Sequence, residues 1–98
     1  MNFEIAPKST EIQANWYDAR LYCFALRIDG KTGWRLPTKE ELSEIYHSEN
    51  DFNEDWHWSS TESDGDDAWF QCFGNGYQGC GITKNDGSGY VRAIRSIP

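Results

Sequence analysis

Four carboxylates crowd one short stretch of this chain, Glu62, Asp64, Asp66 and Asp67, and a polar pair, Asn85 and Asp86, follows on a later loop. Hard oxygens of this kind suit Ca²⁺, which takes about six to eight of them. The spacing has no EF-hand pattern, so a solvated acidic loop is expected and calcium is the weaker use of the same oxygens. His57, Cys72 and Cys80 have the ligand types for zinc, but no Cys-x-x-Cys pair supports them and a fourth ligand is missing. Gly87-Ser88-Gly89 lacks the strand-elbow-helix context of a hydrolase serine, and neither His has an obvious acid partner and nucleophile in a patterned order. No enzyme, metal or cofactor is expected.

The remaining chemistry is that of recognition. Between Glu62 and Tyr90 acids alternate with Trp69, Phe70, Phe73, Tyr77 and Tyr90, which is the composition of loops that bind while a rigid sheet holds them. Asp64, Asp66, Asp67, Asn75, Tyr77, Gln78, Asn85 and Asp86 are its expected outward members. The stretch from Glu40 to Thr83 holds eleven acidic residues and no Lys or Arg, and the chain as a whole carries −7. Such a field repels nucleic-acid phosphates and anionic lipid and attracts basic surfaces. A protein partner, with a basic surface, is the expected ligand, with glycan as a second class. The competing reading is an acidic cytoplasmic inhibitor that fills the basic groove of a nucleic-acid-binding or defence protein.

Holding such loops takes a scaffold, and 98 residues allow one domain with one core. Five Trp, five Tyr and five Phe supply that core with large pieces. Asn15 reads as an N-cap with Asp18 behind it, and Trp16, Ala19, Cys23 and Leu26 share one face of the helix that follows. That helix is expected to end near Asp29-Gly30, with Gly as a left-handed cap. Thr38 and Glu41 form a Thr-x-x-Glu capping box for a second helix, with Leu42, Ile45 and Tyr46 inward and Pro37 barring backward extension. Strands are expected at Trp58–Thr61, Ala68–Phe73, Gly81–Thr83 and Tyr90–Ile94, with turns at Gly74–Gly76 and Asn85–Gly89. Two helices followed by an antiparallel sheet make an α+β domain. Cys23 falls on an apolar helix face and should be a core thiol. The odd cysteine count suits reduced thiols, although Cys72 and Cys80 flank a Gly-rich turn and a hairpin disulfide is open to them in an oxidising setting.

Several strings in order carry a family signature. Trp16-x-x-Ala19-x-x-Tyr22-Cys23, Gly33-Trp34-Arg35-Leu36-Pro37-Thr38-x-x-Glu41-Leu42, Trp58-Ser59-Ser60-Thr61-Glu62, Ala68-Trp69 and Val91-Arg92-Ala93-Ile94-Arg95 resemble the DUF1566 family, that of the Legionella collagen-like protein C-terminal domain. The resemblance runs from about Glu11 to Ser96. It implies a C-type-lectin-like fold, with two helices flanking a small twisted sheet and a long loop-rich segment. It further implies a non-catalytic binding module of the kind found on surface, secreted or phage proteins. Trp16, Trp34, Arg35, Pro37, Trp58, Ser59, Ser60 and Arg92 are then scaffold residues that mark the fold rather than the ligand. The Glu-Pro-Asn and Trp-Asn-Asp triplets with which calcium-dependent lectins hold sugar are absent. No basic start followed by an apolar run opens the chain, so the expected setting is cytoplasmic, or a phage particle.

Overall fold

A computed structural model describes residues 2–97. Its elements in chain order are β1 (Phe3–Ile5), β2 (Ile12–Ala14), α1 (Trp16–Ala25), β3 (Trp34–Arg35), α2 (Lys39–Tyr46), β4 (Trp56–Glu62), β5 (Asp67–Cys72), β6 (Gln78–Thr83), β7 (Gly89–Val91) and β8 (Ile94–Ser96). A single 3₁₀ turn, Lys8–Thr10, joins the first two strands.

Both helices start where short-range chemistry dictates. Asn15 stays extended and its Oδ1 accepts from the Asp18 N–H at 2.8 Å, satisfying a donor that has no partner inside the helix. Trp16, Ala19 and Cys23 of α1 turn inward. At α2 the Thr38 hydroxyl accepts from the Glu41 N–H, and the Glu41 carboxylate accepts from the Thr38 N–H at 2.8 Å, a complete capping box. Arg35 adds a two-pronged contact to the same carboxylate at 2.7 and 2.8 Å. This pairing holds Glu41 below the usual carboxylate range and raises Arg35.

The end of α1 differs from expectation. The helix stops at Ala25, with Leu26 already extended. Asp29 (φ 51°) and Gly30 (φ 77°) are both left-handed and form a two-residue reversal closing the Ile28–Lys31 bridge. Gly30 thus makes a tight turn rather than a helix cap.

The strands form two sheets, not one. A three-stranded antiparallel sheet has the order β1-β8-β3, and a five-stranded sheet the order β2-β7-β4-β5-β6. The larger sheet is mixed, because β4 and β7 meet in parallel at the His57–Tyr90 rung. Three strands, β1, β2 and β3, lie before or between the helices, where none was expected. The expected strand Tyr90–Ile94 breaks at Arg92-Ala93: β7 belongs to one sheet and β8 to the other. The break follows from Arg92, whose guanidinium turns into the interior and donates to the Ala6 carbonyl at 2.7 Å.

Two apolar clusters fill the interior. Trp16, Cys23, Trp34, Leu36, Trp58 and Val91 with four alanines make one, and Phe3, Leu42, Ile45, Phe52, Phe73 and Ile94 the other. The buried indoles direct their N–H groups to backbone carbonyls. Trp16 donates to Ser59 at 2.9 Å, Trp34 to Lys31 at 3.1 Å and Trp58 to Ala14 at 2.9 Å. The Ser59 hydroxyl donates to the Trp69 carbonyl at 2.7 Å, and the Ser60 N–H to Pro37 at 2.8 Å. The signature residues are thereby engaged in joining strands and loops.

Candidate functional site

The eight residues expected to form one recognition face lie at two ends of the larger sheet. Asp64, Asp66 and Asp67 sit at the β4–β5 turn, and Asn85 and Asp86 on the β6–β7 loop beside it, joined by the Lys84 N–H to the Asp66 carbonyl at 2.8 Å. Asn75, Tyr77 and Gln78 belong to the β5–β6 turn. The length of β5 intervenes, roughly 17–20 Å at strand rise. Several of these side chains are occupied locally. Asp64 Oδ1 accepts from the N–H groups of Asp66 and Asp67, and Asn75 Oδ1 from that of Tyr77. Asp86 Oδ1 accepts from the N–H and hydroxyl of Ser88, which holds it below the usual carboxylate range. Gln78 donates to the Lys39 carbonyl at 2.5 Å. Asp66, Asn85 and Tyr77 stay exposed, and Asp67 is half-buried.

Beneath the β4–β5 turn an internal ammonium is present. Lys84 is 3% exposed. Its Nζ donates to Glu62 Oε2 at 2.7 Å and to the carbonyls of Gly65 and Asp64 at 3.1 and 3.2 Å, 4.4 Å from the Trp16 ring centre. The hydrogen bond from Lys84 keeps Glu62 below the usual carboxylate range. The signal for it is that Lys84 is the first cation after a long stretch without one. Among the described residues, no group of three or more His, Cys, Asp or Glu is arranged to hold a metal ion.

A second polar cluster was not anticipated. His57 does have an acid partner: its Nε2 lies 3.0 Å from Glu11 Oε2, with side chains 1% and 4% exposed. Nδ1 of the same ring faces the Asp55 carbonyl at 3.2 Å, so both ring nitrogens meet oxygen atoms. Glu11 also accepts from Lys8, Arg92 and the Asn53 N–H, and Arg92 reaches Asp51 at 2.6 Å. Burial pushes the Glu11 carboxyl up, but the hydrogen bonds from His57 and Lys8 outweigh it and hold it at about 2. Phe52 and Phe73 pack against the His57 ring. The cluster ties the 3₁₀ turn to β4 and to the β7–β8 crossover. His57 and Glu11 lie 46 positions apart in sequence, which is why spacing rules missed them.

The cysteines stay separate. Cys72 N–H bonds the Tyr77 carbonyl at 2.8 Å, whereas Cys80 falls between the Phe70–Gly79 and Ala68–Ile82 rungs. About three rungs, roughly 10 Å, separate the two cysteines, beyond the ~7 Å reach of a disulfide. The hairpin bridge left open by the sequence is excluded by this separation, and both thiols are free. Cys23 is fully buried, and burial pushes its thiol up to about 12.

An apolar surface lies on the outer side of α1. Tyr17, Leu21 and Phe24 follow one another at helical spacing, 46%, 66% and 83% exposed. Together with Arg20, Trp34, Arg35, Leu36 and Ser60 they line a groove of about 620 Å³. Exposures of this size on side chains of roughly 150–250 Å² each leave about 400 Å² of apolar surface. A contiguous patch of that area on a monomer commonly marks an interaction site. The periodicity Tyr17, Leu21, Phe24 is legible in the sequence, but it was overshadowed by the inward stripe on the same helix. Arg20 stacks over Trp16 at 4.8 Å and, among the described residues, forms no ion pair.

Two short helices on two small sheets, with ionisable groups sealed inside and an open apolar groove, define a small α+β domain. No helix among the described residues is long and apolar enough to cross a membrane. The chain belongs to the Lcl C-terminal domain family, whose model matches residues 4–95. No curated protein sequence matches it.

Proposed function

We propose that this protein is a non-catalytic binding module that engages a protein partner through the outer face of α1. The carrying observation is the stripe Tyr17, Leu21 and Phe24 opening onto a groove of about 620 Å³, within the usual size range of ligand clefts. Membership of the Lcl C-terminal domain family supports a non-catalytic role. So does the sealing of His57 and Glu11, since a general base must reach its substrate. A C-type-lectin-like architecture agrees with the pairing of β1 with β8 and with two helices beside the sheets. The module needs no calcium on this reading, because the Lys84 ammonium already holds the turn from within, through the Glu62 carboxylate and the Asp64 and Gly65 carbonyls. A decoy for a basic groove would use the carboxylates of Asp64, Asp66, Asp67 and Asp86 at one end of the larger sheet, a reading that leaves the open apolar groove on α1 without a role.

The test is a pair of variants. Leu21→Glu with Phe24→Ser changes exposed positions only and should abolish binding of a partner isolated on the wild-type protein and then purified. Asp64→Asn, Asp66→Asn and Asp67→Asn together should leave that binding intact. Undiminished binding by the first variant would refute the proposal, and loss only in the second would return the site to the acidic loops.

A further inference from the structure

We infer that the α1 groove takes a short acidic-apolar segment of a partner protein, with one large apolar side chain between Phe24 and Leu36 and a carboxylate on Arg20. The inference rests on the α1 face being the binding surface and adds the chemistry of what it binds. Size comes first. About 400 Å² of apolar surface is half of the ~800 Å² per partner that a stable interface buries, so the stripe alone does not hold a second folded copy. A cavity of about 620 Å³ accommodates one or two side chains of an extended or helical peptide.

Charge then discriminates among occupants. Two guanidiniums border the groove. Arg35 is saturated by the two-pronged Glu41 contact, whereas Arg20 forms no ion pair among the described residues and is oriented by the Trp16 face beneath it. A self-pairing of α1 about a two-fold axis through Leu21 would bring both copies of Arg20 together, which like charges disfavour. Polyanions are disfavoured as well, since one unpaired guanidinium sits close enough to Glu62 to feel its charge, on a chain of net −7. What remains complementary is a single carboxylate beside an apolar anchor, the fork of Arg20 being suited to a carboxylate.

A random dodecapeptide library displayed on phage, selected on the immobilised protein, tests this. Selected peptides are then synthesised and titrated by fluorescence anisotropy against wild type, Phe24→Ser, Leu21→Glu and Arg20→Gln. The expected result is enrichment of Asp or Glu next to Phe, Leu or Trp. Phe24→Ser should weaken binding about tenfold or more, as for a central aromatic anchor. Arg20→Gln should weaken it about threefold and remove both the preference for acid and the salt dependence, as for an exposed charge pair. Peptides that need Phe24 but show no acid preference overturn this inference and leave the α1 surface standing. Peptides indifferent to both Phe24→Ser and Leu21→Glu, or no selected peptide at all, overturn both. All three positions are exposed and none belongs to the two core clusters, and circular dichroism of each variant should match wild type.

Discussion

Replacing Glu11 by Gln removes the one carboxylate that His57, Lys8 and Arg92 share. The size of the effect follows from the carboxyl itself, held at about 2 against an ordinary 4.5. A difference of that size corresponds to roughly 3 kcal/mol, which is close to what breaking a buried ion pair costs. The Lys8 arm is 49% exposed and screened by water, so about 2–3 kcal/mol is expected at neutral pH. For a domain of this length that lowers Tm by roughly 10–20 °C. Because the folded-state value lies below the unfolded one, the stabilisation is complete above about pH 4.5 and is lost as pH falls toward 2. Urea unfolding of wild type and Glu11→Gln, followed by tryptophan fluorescence between pH 7 and 2, reads it directly. The gap between the two should narrow as pH falls from about 5 toward 2. The other carboxylates titrate in both proteins and cancel in the comparison. A gap that stays constant to pH 2.5, or that widens in acid, would refute the reasoning.

Lys84→Met should destabilise by about 1–2 kcal/mol and speed proteolysis between Ser63 and Asp66, because the turn loses its internal donor; unchanged cleavage kinetics would contradict the clamp. In the wild-type protein, calcium and chelator should leave Tm unmoved. Gly89→Ala should cost about 1–3 kcal/mol in a denaturant titration, since its Cβ would stand 2.5 Å from Trp58 Nε1 and Trp56 Cζ3, and Trp58 is tethered to Ala14. A thiol reagent should modify Cys72 and Cys80 in the native protein and Cys23 only after unfolding, and mild oxidation should produce no intramolecular disulfide detectable by mass.

What the sequence disclosed was local. The Asn15 cap and the Thr38–Glu41 box operate over three residues, and the structure holds both as read. Gly30 was misread because a left-handed glycine serves a helix end and a two-residue reversal equally well, and only the Ile28–Lys31 bridge decides between them. Strands β1, β2 and β3 carry two or three residues each and take their definition from partners elsewhere in the chain. The acidic loops look continuous in sequence, yet β5 reverses the chain and sends Tyr77 to the far end from Asp64. The Glu11–His57–Arg92 cluster joins residues 46 and 81 positions apart, beyond any spacing rule. The α1 surface was the opposite case: Tyr17, Leu21 and Phe24 were in plain view at helical spacing. Read as core filling alone, the helix concealed a second apolar face.

The pairing of β1 with β8 carries a kinetic meaning. Arg95 meets Glu4 across a separation of 91 positions. Chain entropy makes such a closure late, after the capped helices and the β4–β5–β6 meander have formed from near neighbours. Opening this pairing would withdraw Phe3 from the cluster it shares with Leu42 and Ile45. Strands β1 and β8 thus act as a clasp whose fastening finishes the smaller core.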